Sequence, residues 1–367
     1  MDPYVPEALP IDINHWDMQR LMIKVSDASA ALAHYNGLLR SMINPAIFLS
    51  PLETKEAVLS SRIEGTVTTV DEVLKYEVDL KPESIKKQED IIEVLNYRKA
   101  TRAAKAWLDR ELPFNLTMIC AIHKELLQGA RGRNKRPGEV RNEQVWIGMR
   151  NCSMAEATFV PPEPLGIKTH LNQLVNYLDR NDQEVLIQTA FMHAQFELIH
   201  PFSDGNGRTG RILIPLFLWK KHRLESPMFY VSEYFDEHRD DYICNLSAIS
   251  QQHDWESWVL FFLDAINVQA NRNAHKAEEV LRLYNQMKVR LTEISNSPNV
   301  IKILDALFCM PIFRSSDFVE LSGLNIQTTH RIVKKLKDEG ILRTIKEPAG
   351  RSPEIFLFSE LHNLLEG

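Results

Sequence analysis

The chain has 367 residues, a net charge of −6, and a composition that is 44% hydrophobic and 25% charged. That is ordinary for a soluble globular protein, long enough for two or three units, and too acidic for a generally polyanion-binding surface. Its longest apolar run, Ile212–Trp219, is far too short to cross a bilayer, and Met1-Asp2-Pro3 lacks the basic and apolar blocks of a signal peptide. Cys120, Cys152, Cys244 and Cys309 match neither a zinc spacing nor a disulfide framework, so a cytoplasmic protein with reduced thiols and no membrane partner is expected.

A proline-rich arm (Pro3, Pro6, Pro10) leads into a helical pattern over Met18–Leu39. Ser50-Pro51-Leu52-Glu53 joins a capping box to a proline at the first helical position and predicts a helix from residue 51. Gly65 fits as its C′ residue. Ser60 and Glu64 are four apart on one face of that helix, a pair that a solvated helix end would explain by itself. Thr69-Val70-Asp71-Glu72 offers a second capping box, residues 84–112 read as a charged amphipathic helix, and Asn115 opens a helix containing His123. His123 is expected to be structural, with nothing nearby as its partner.

Between Arg131 and Pro162 the pattern changes. Gly129, Gly132, Pro137 and Gly138 break helix, and two β-like runs follow, Gln144–Ile147 and Thr158–Val160. They predict a hairpin with basic approaches (Arg131, Arg133, Lys135, Arg136, Arg141). Residues 164–182 and 184–199 are helical, and Pro201 stops the second at His200. The next stretch, His200–Arg211, reads HPFSDGNGRTGR. Its glycines permit a tight turn, and a new helix is expected near Arg208. Arg208 and Arg211 stand at a helix start whose N–H groups and dipole are already positive, an arrangement that destabilises unless a polyanion binds there. The segment therefore reads as a phosphate cradle. Asp204 beside it suits magnesium, and His200 suits a proton acceptor.

This segment resembles the signature of the Fic family: His-Pro-Phe, any residue, Asp or Glu, Gly-Asn, Gly or Lys, Arg, two residues, Arg. Every fixed position is met. The resemblance implies a mainly α-helical Fic-type core with a small β-hairpin flap, moving AMP from Mg-ATP to a Ser, Thr or Tyr hydroxyl of a protein, itself included. It makes His200 the general base and Asp204 the magnesium ligand. Gly205, Asn206, Gly207, Arg208, Thr209, Gly210 and Arg211 hold ATP, with Arg211 at the γ-phosphate. The Doc branch, which phosphorylates, has Ala and Lys where this chain has Gly205 and Gly207. Ser60, Glu64 and Gly65 resemble the family's inhibitory motif (Ser or Thr, three residues, Glu, Gly or Asn). The resemblance implies that Glu64 pairs with Arg211, and it places the chain in the class whose inhibitory helix, here about 51–65, lies in an N-terminal extension. The hairpin over 144–160 is similar to the flap that docks a protein substrate by strand addition. Tyr242 falls where the family places an aromatic residue near the base, with Asp241-Tyr242 replacing the frequent tyrosine pair. Removal of AMP from modified targets by the same site stays open.

Downstream, 233–249 reads as a loop entering a helix, and Trp255–Val268 as an apolar helix closing the core. Val280, Tyr284, Met287, Leu291 and Ile294 form a short seam that packs on its own chain or joins a homodimer. Residues 299–362 have the element order of a winged helix: helices Val300–Met310, Ser315–Leu321 and Gln327–Glu339, then strands Ile341–Ile345 and Glu354–Phe358 around a wing at Lys346–Pro353. Thr328, Thr329 and Arg331 would lie on its recognition helix. Nine basic and nine acidic residues over 298–367 give no basic face, so DNA and protein are both open as partners. The expected organisation is an N-terminal extension (1–112), a Fic catalytic core (113–269), a connecting helix and linker (270–297) and a winged-helix-like unit (298–367). The alternative function is a nucleotide-sensing, DNA-binding transcriptional regulator without transferase activity.

Overall fold

A computed structural model describes residues 2–42, 45–129, 135–149, 152–295, 298–350 and 353–366. Helices α1 (Met18–Ser41), α2 (Pro45–Ile63), α3 (Val70–Glu77) and α4 (Ile85–Leu108) come first. They are followed by α5 (Leu116–Leu126), α6 (Ile167–Leu178), α7 (Val185–Ile199), α8 (Asn206–Lys220), α9 (Ser232–Glu237), α10 (Arg239–Gln252) and α11 (Trp255–Ser295). The C-terminal part holds α12 (Val300–Cys309), β1 (Ile312–Arg314), α13 (Ser315–Ser322), α14 (Ile326–Asp338), β2 (Leu342–Lys346), β3 (Ile355–Phe358) and α15 (Ser359–Glu366). None of the described helices is long and apolar enough to cross a membrane.

The centre is α7, which is apolar nearly all round and therefore buried among α6, α8, α10 and α11. Trp258 of α11 locks onto it by donating Nε1–H to the Ala190 carbonyl at 2.9 Å. The sequence divides α11 near residue 269, because the pattern turns polar there. The helix instead runs on unbroken, since Gln269 and Asn273 are buried with hydrogen-bond partners, Glu233 and the Tyr230 carbonyl. The seam beyond them faces its own chain. Val280, Met287 and Leu291 are buried, and Tyr284 donates to Asp305 at 2.8 Å while its ring packs on Phe308.

Helix α2 starts earlier than its capping signal. Pro45 is itself a proline with the φ that a first helical turn requires, so the sequence offers two starts, and the chain takes the earlier one, running through Ser50-Pro51. Its end is as expected. Gly65 has φ +92°, the Thr66 amide donates to the Ser61 carbonyl at 3.1 Å, and the Gly65 amide donates to Arg62 at 2.9 Å, a Schellman closure. The capping box at Thr69 and Glu72 forms in full and starts α3.

Among the described residues the expected hairpin is reduced to one bridge, between Ile147 and Phe159. Local bonds take the place of a ladder. Trp146 donates its indole N–H to the Cys152 carbonyl, Thr158 Oγ1 donates to the Ile147 carbonyl, and Met154–Glu156 coils into a 3₁₀ turn. Of the basic approaches, Arg131 and Arg133 lie outside the described residues. Arg141 is buried, and its guanidinium donates to the His200, Glu143 and Pro162 carbonyls, so it braces the loop from inside.

The C-terminal sheet is antiparallel in the order β1-β3-β2, with Ile312 opposite Leu357 and Leu342 opposite Phe358. β1 has no signal of its own in the sequence; three residues after Pro311 become a strand only by pairing with β3. Thr329 is fully buried and donates to the Asn325 carbonyl, so the face that α14 shows to solvent carries Gln327, His330, Arg331 and Lys334 instead. On its other side this unit docks α12 and α15 against α2.

Candidate active site

The two helices that meet at residues 200–206 create the site. α7 ends on His200 in the left-handed region (φ 48°), one residue before Pro201. The loop is then stapled by Asn206, whose Oδ1 accepts from the Phe202 amide at 2.9 Å and whose Nδ2 donates to the Phe202 carbonyl at 2.8 Å. This closure lets α8 begin at Asn206, two residues before the expected start. Gly205 (φ +77°) takes the N-cap position with no side-chain cap, so the first amides of α8 are left for an anion. Thr209 holds the turn by donating Oγ1–H to the Gly205 carbonyl.

His200 Nδ1 lies 3.3 Å from the Glu197 carbonyl. A carbonyl can only accept, so Nδ1 carries the proton and Nε2 is left with its lone pair. Burial lowers this imidazole to about 4, which keeps it neutral and able to take a proton. Asp204 is 44% exposed and held by one long contact, 3.4 Å to Arg208. A carboxylate this free can turn toward a cation, and magnesium asks for one or two carboxylates plus substrate phosphates.

His123 has the partners that its sequence surroundings did not suggest. It stacks on Phe202 at 3.7 Å, accepts from the Gly138 amide at Nδ1, and so donates Nε2–H to the Asp204 carbonyl at 2.9 Å. It thus fixes the backbone at Asp204. Its partners are distant in sequence, and no local pattern could reveal them.

The two signature arginines are both buried, at 5% (Arg208) and 1% (Arg211) exposure. Arg208 reaches Glu93 of α4 at 3.1 Å. Arg211 donates Nε–H to Ser60 Oγ at 2.8 Å, and Nη2 to the Ser60 carbonyl at 2.9 Å and to Glu64 Oε1 at 2.7 Å. Burial pushes the Glu64 carboxyl up, but the Arg211 guanidinium, with Arg208, outweighs it and holds Glu64 below its usual range. The same pairing raises Arg211. Gly207 makes the approach possible, because a Cβ there would run into Glu64 Oε1.

Glu64, His200, Gly207 and Arg211 line one cavity of about 240 Å³, closed by Ile147 and Phe159 of the flap segment and by α10. Tyr242 lines it from α10, with its ring on Phe235 at 4.7 Å and its hydroxyl 2.9 Å from His193 Nε2. Glu197, not singled out from sequence, stands in the same wall. Its Oε1 is buried without a hydrogen-bond partner, and burial raises the carboxyl to about 8. A Cβ on Gly210 would strike this oxygen. Its signal in the sequence was its place one helical turn before His200.

Two family models match in succession: Fic/DOC family N-terminal over residues 22–106, and Fic/DOC family over 113–218, together more than half of the chain. A probable protein adenylyltransferase of Aquifex aeolicus is 30% identical over 178 residues, 47% of this chain and 49% of that protein. The protein adenylyltransferase Fic of Nematostella vectensis is 26% identical over 170 residues, 44% of this chain and 36% of that one. The chain thus spans about half or less of the length of these relatives. Among solved structures, a Fic family protein from Desulfovibrio desulfuricans superposes with a TM-score of 0.58 at 18% identity, covering 95% of this chain and 98% of that one. Fic-1 from Caenorhabditis elegans gives 0.52 at 20% identity, covering 72% and 73%. At those identities the likeness is one of fold. With both family models matched in order, and the signature segment walling the cavity, this chain belongs to the Fic/DOC family.

Proposed function

We propose that this chain transfers AMP from Mg-ATP to a hydroxyl of a protein, and that Glu64 restrains it. The observation that carries the reading is the convergence of a neutral His200, an uncapped helix start and a buried arginine on one cavity. The triphosphate lies on the amides from Gly205 onward and between Arg208 and Arg211. Asp204 would hold magnesium, which would offset the charge of the phosphates. A Ser, Thr or Tyr hydroxyl, presented along the 144–160 segment, attacks the α-phosphorus; its proton passes to His200 Nε2, the α–β bridging bond breaks, and pyrophosphate leaves. Fixed donors and one aligned base supply what such in-line transfer requires. The Glu64 carboxylate fills the place on Arg211 that a γ-phosphate would take, so ATP binds unproductively until α2 yields.

The test is incorporation of label into the chain itself or into lysate protein. Label from ATP marked at the α-phosphate, dependent on His200, is expected. Label from the γ-phosphate alone would make the reaction phosphorylation. No label from either position, even with Glu64→Gly, would overturn the reading.

A further inference from the structure

One carboxyl in the wall of the cavity has no part in the proposed reaction. Glu197 lies on α7, three residues before His200, and its Oε1 is buried without a hydrogen-bond partner. Among the described residues no cation stands at ion-pair distance from it. The hydroxyls of the same lining are already engaged. Tyr242 bonds His193, Thr158 donates to the Ile147 carbonyl, Ser250 donates to the Ser247 carbonyl, and Ser247 Oγ accepts from Gln251. Glu64 is taken by Arg211. Gly210 leaves the room that Glu197 fills, since a Cβ there would collide with Oε1. A buried polar group left open in this way costs stability unless something bonds to it.

We propose that Glu197 reads the ribose of ATP, its carboxyl bonding the 2′- and 3′-hydroxyls so that the cavity selects ribonucleotides. The inference rests on the reading of this cavity as the ATP site. Its phosphate end is marked by Glu64, Gly207 and Arg211, while Ile147, Phe159, Ile243 and Leu246 give it an apolar end for the base. Between triphosphate and base comes the sugar, which is bonded to the α-phosphate that His200 must face. Three residues of helix rise by about 4.5 Å, so Glu197 stands one chemical group away from that phosphate along α7. The charge is right as well. Burial raises the Glu197 carboxyl to about 8, with Arg211 opposing and Glu64 adding to the rise, so at neutral pH it keeps its proton and does not repel a polyphosphate. A protonated carboxyl offers one O–H donor and keeps acceptor lone pairs, and a ribose diol offers both kinds too. Hydrogen bonds to the sugar then form without burying a charge. A carboxyl that merely filled the space beside Gly210 would be indifferent to the sugar.

That contrast gives the experiment. ATP is compared with 2′-deoxy-ATP and 3′-deoxy-ATP in the full chain carrying Glu64→Gly, which leaves the γ-phosphate position open. Direct nucleotide binding and kcat/KM for α-phosphate label transfer are both read, with a melting curve for each protein. ATP is expected to bind about fivefold to tenfold tighter than each deoxy form, the worth of one hydrogen bond. Glu197→Ala should weaken ATP by that factor, through KM and not kcat, and bring the three nucleotides within about twofold of one another. Glu197→Gln, which keeps a donor and an acceptor, should retain the preference. Equal binding of the three nucleotides with Glu197 intact overturns the proposal, and that result needs no Glu197 variant to fold. So does a sugar preference that survives Glu197→Ala. A Glu197→Ala protein altered only in its choice between ATP and the hypoxanthine analogue would make Glu197 a reader of the base, and also overturns it. A sugar preference in binding, lost in Glu197→Ala, without any label transfer would uphold the proposal while the transfer reading fails. No ATP binding at all would sink both.

Discussion

Arg208 and Arg211 are three residues apart on one helix and nearly equally buried, yet they belong to different systems. Arg208 is paired within the frame of the cradle, to Glu93 on α4 and to Asp204 in the loop itself. Among the described residues, Arg211 donates its three hydrogen bonds to Ser60 of α2 and to Glu64 just past the end of α2. The first set leaves a carboxylate beside the site in any state of the protein. The second vanishes if α2 shifts, and it has the worse ground state. Glu64 closes the C-terminal end of α2, where the helix dipole disfavours a carboxylate, so its placement depends on Arg211. On the proposed reading, one arginine builds the phosphate cradle, while the other reports whether α2 is in place. The predictions below separate these two roles.

The largest effect should come from the residue common to both states. His200→Ala is expected to lower transfer by roughly a hundred- to ten-thousand-fold, as loss of a general base does, while ATP binding stays within a few-fold. Retention of more than about a tenth of the parent rate would remove His200 from that role. Because its pKa is held at about 4, the rate should not fall on account of His200 between neutral pH and about 5. A decline with a midpoint near 6.5 would mean the ring is far less buried than it is here.

Next comes the α2 side. Glu64→Gly should raise transfer by about one to two orders of magnitude, since a bidentate-capable carboxylate leaves the γ-phosphate position. Arg211→Ala breaks the same pair but also deletes the phosphate contact, so it should not activate, and the double variant should follow it. An Arg211→Ala protein as fast as Glu64→Gly would mean that Arg211 has no part in ATP binding.

How much of this was legible in the sequence follows the same division. Residues 200–211 could be read because their chemistry is local: a stop at Pro201, glycines for the turn, arginines where a helix start disfavours them. Ser60 and Glu64 gave only a spacing, and the family resemblance, not the spacing, tied them to Arg211. His123 was silent, because the Asp204 carbonyl that it holds lies 81 residues away in the chain. The flap was over-read, since two β-like runs fix propensity but not whether side chains will claim the carbonyls first. The 269–273 stretch of α11 looked polar because burial of Gln269 and Asn273 depends on partners that only the fold supplies.

Acid should weaken the fold in a direction that can be worked out. His123, His193 and His200 are lowered by burial to about 4, 3 and 4, each below its ordinary value near 6.5. Above about 6.5 the ring is neutral in both the folded and the unfolded chain, and nothing changes with pH. Below it the unfolded chain takes protons that the folded chain refuses, so stability falls as pH drops from about 6.5 toward about 4. Replacing buried His193 by Gln should flatten that slope in denaturant unfolding, and an unchanged slope would mean its titration is not part of the loss.

The smallest effect belongs to the contacts that join the C-terminal unit to α3 and the turn that follows it. Arg314 pairs with Asp79 beyond the end of α3, and His362 meets Asp71 in its first turn at 3.2 Å. α12 and α15 lie on α2 itself. A unit read from sequence as separate thus touches the helix that occupies Arg211. The apolar packing of α12 is the larger part of that attachment, and the ion pairs the lesser part. Asp79 is 81% exposed, and exposed pairs are worth at most about 1 kcal/mol. Asp79→Asn should therefore change unfolding free energy by less than about 1 kcal/mol and raise transfer by no more than about fivefold, the factor that such an energy permits. His362→Ala, in a less exposed pair, should lie at the upper end of that range. The check is the ratio of each variant's rate to that of the same variant carrying Glu64→Gly. A ratio that stays at the parent's value means the ion pairs hold the C-terminal unit without holding α2. A rise as large as Glu64→Gly alone would move the main restraint from Glu64 to the C-terminal unit.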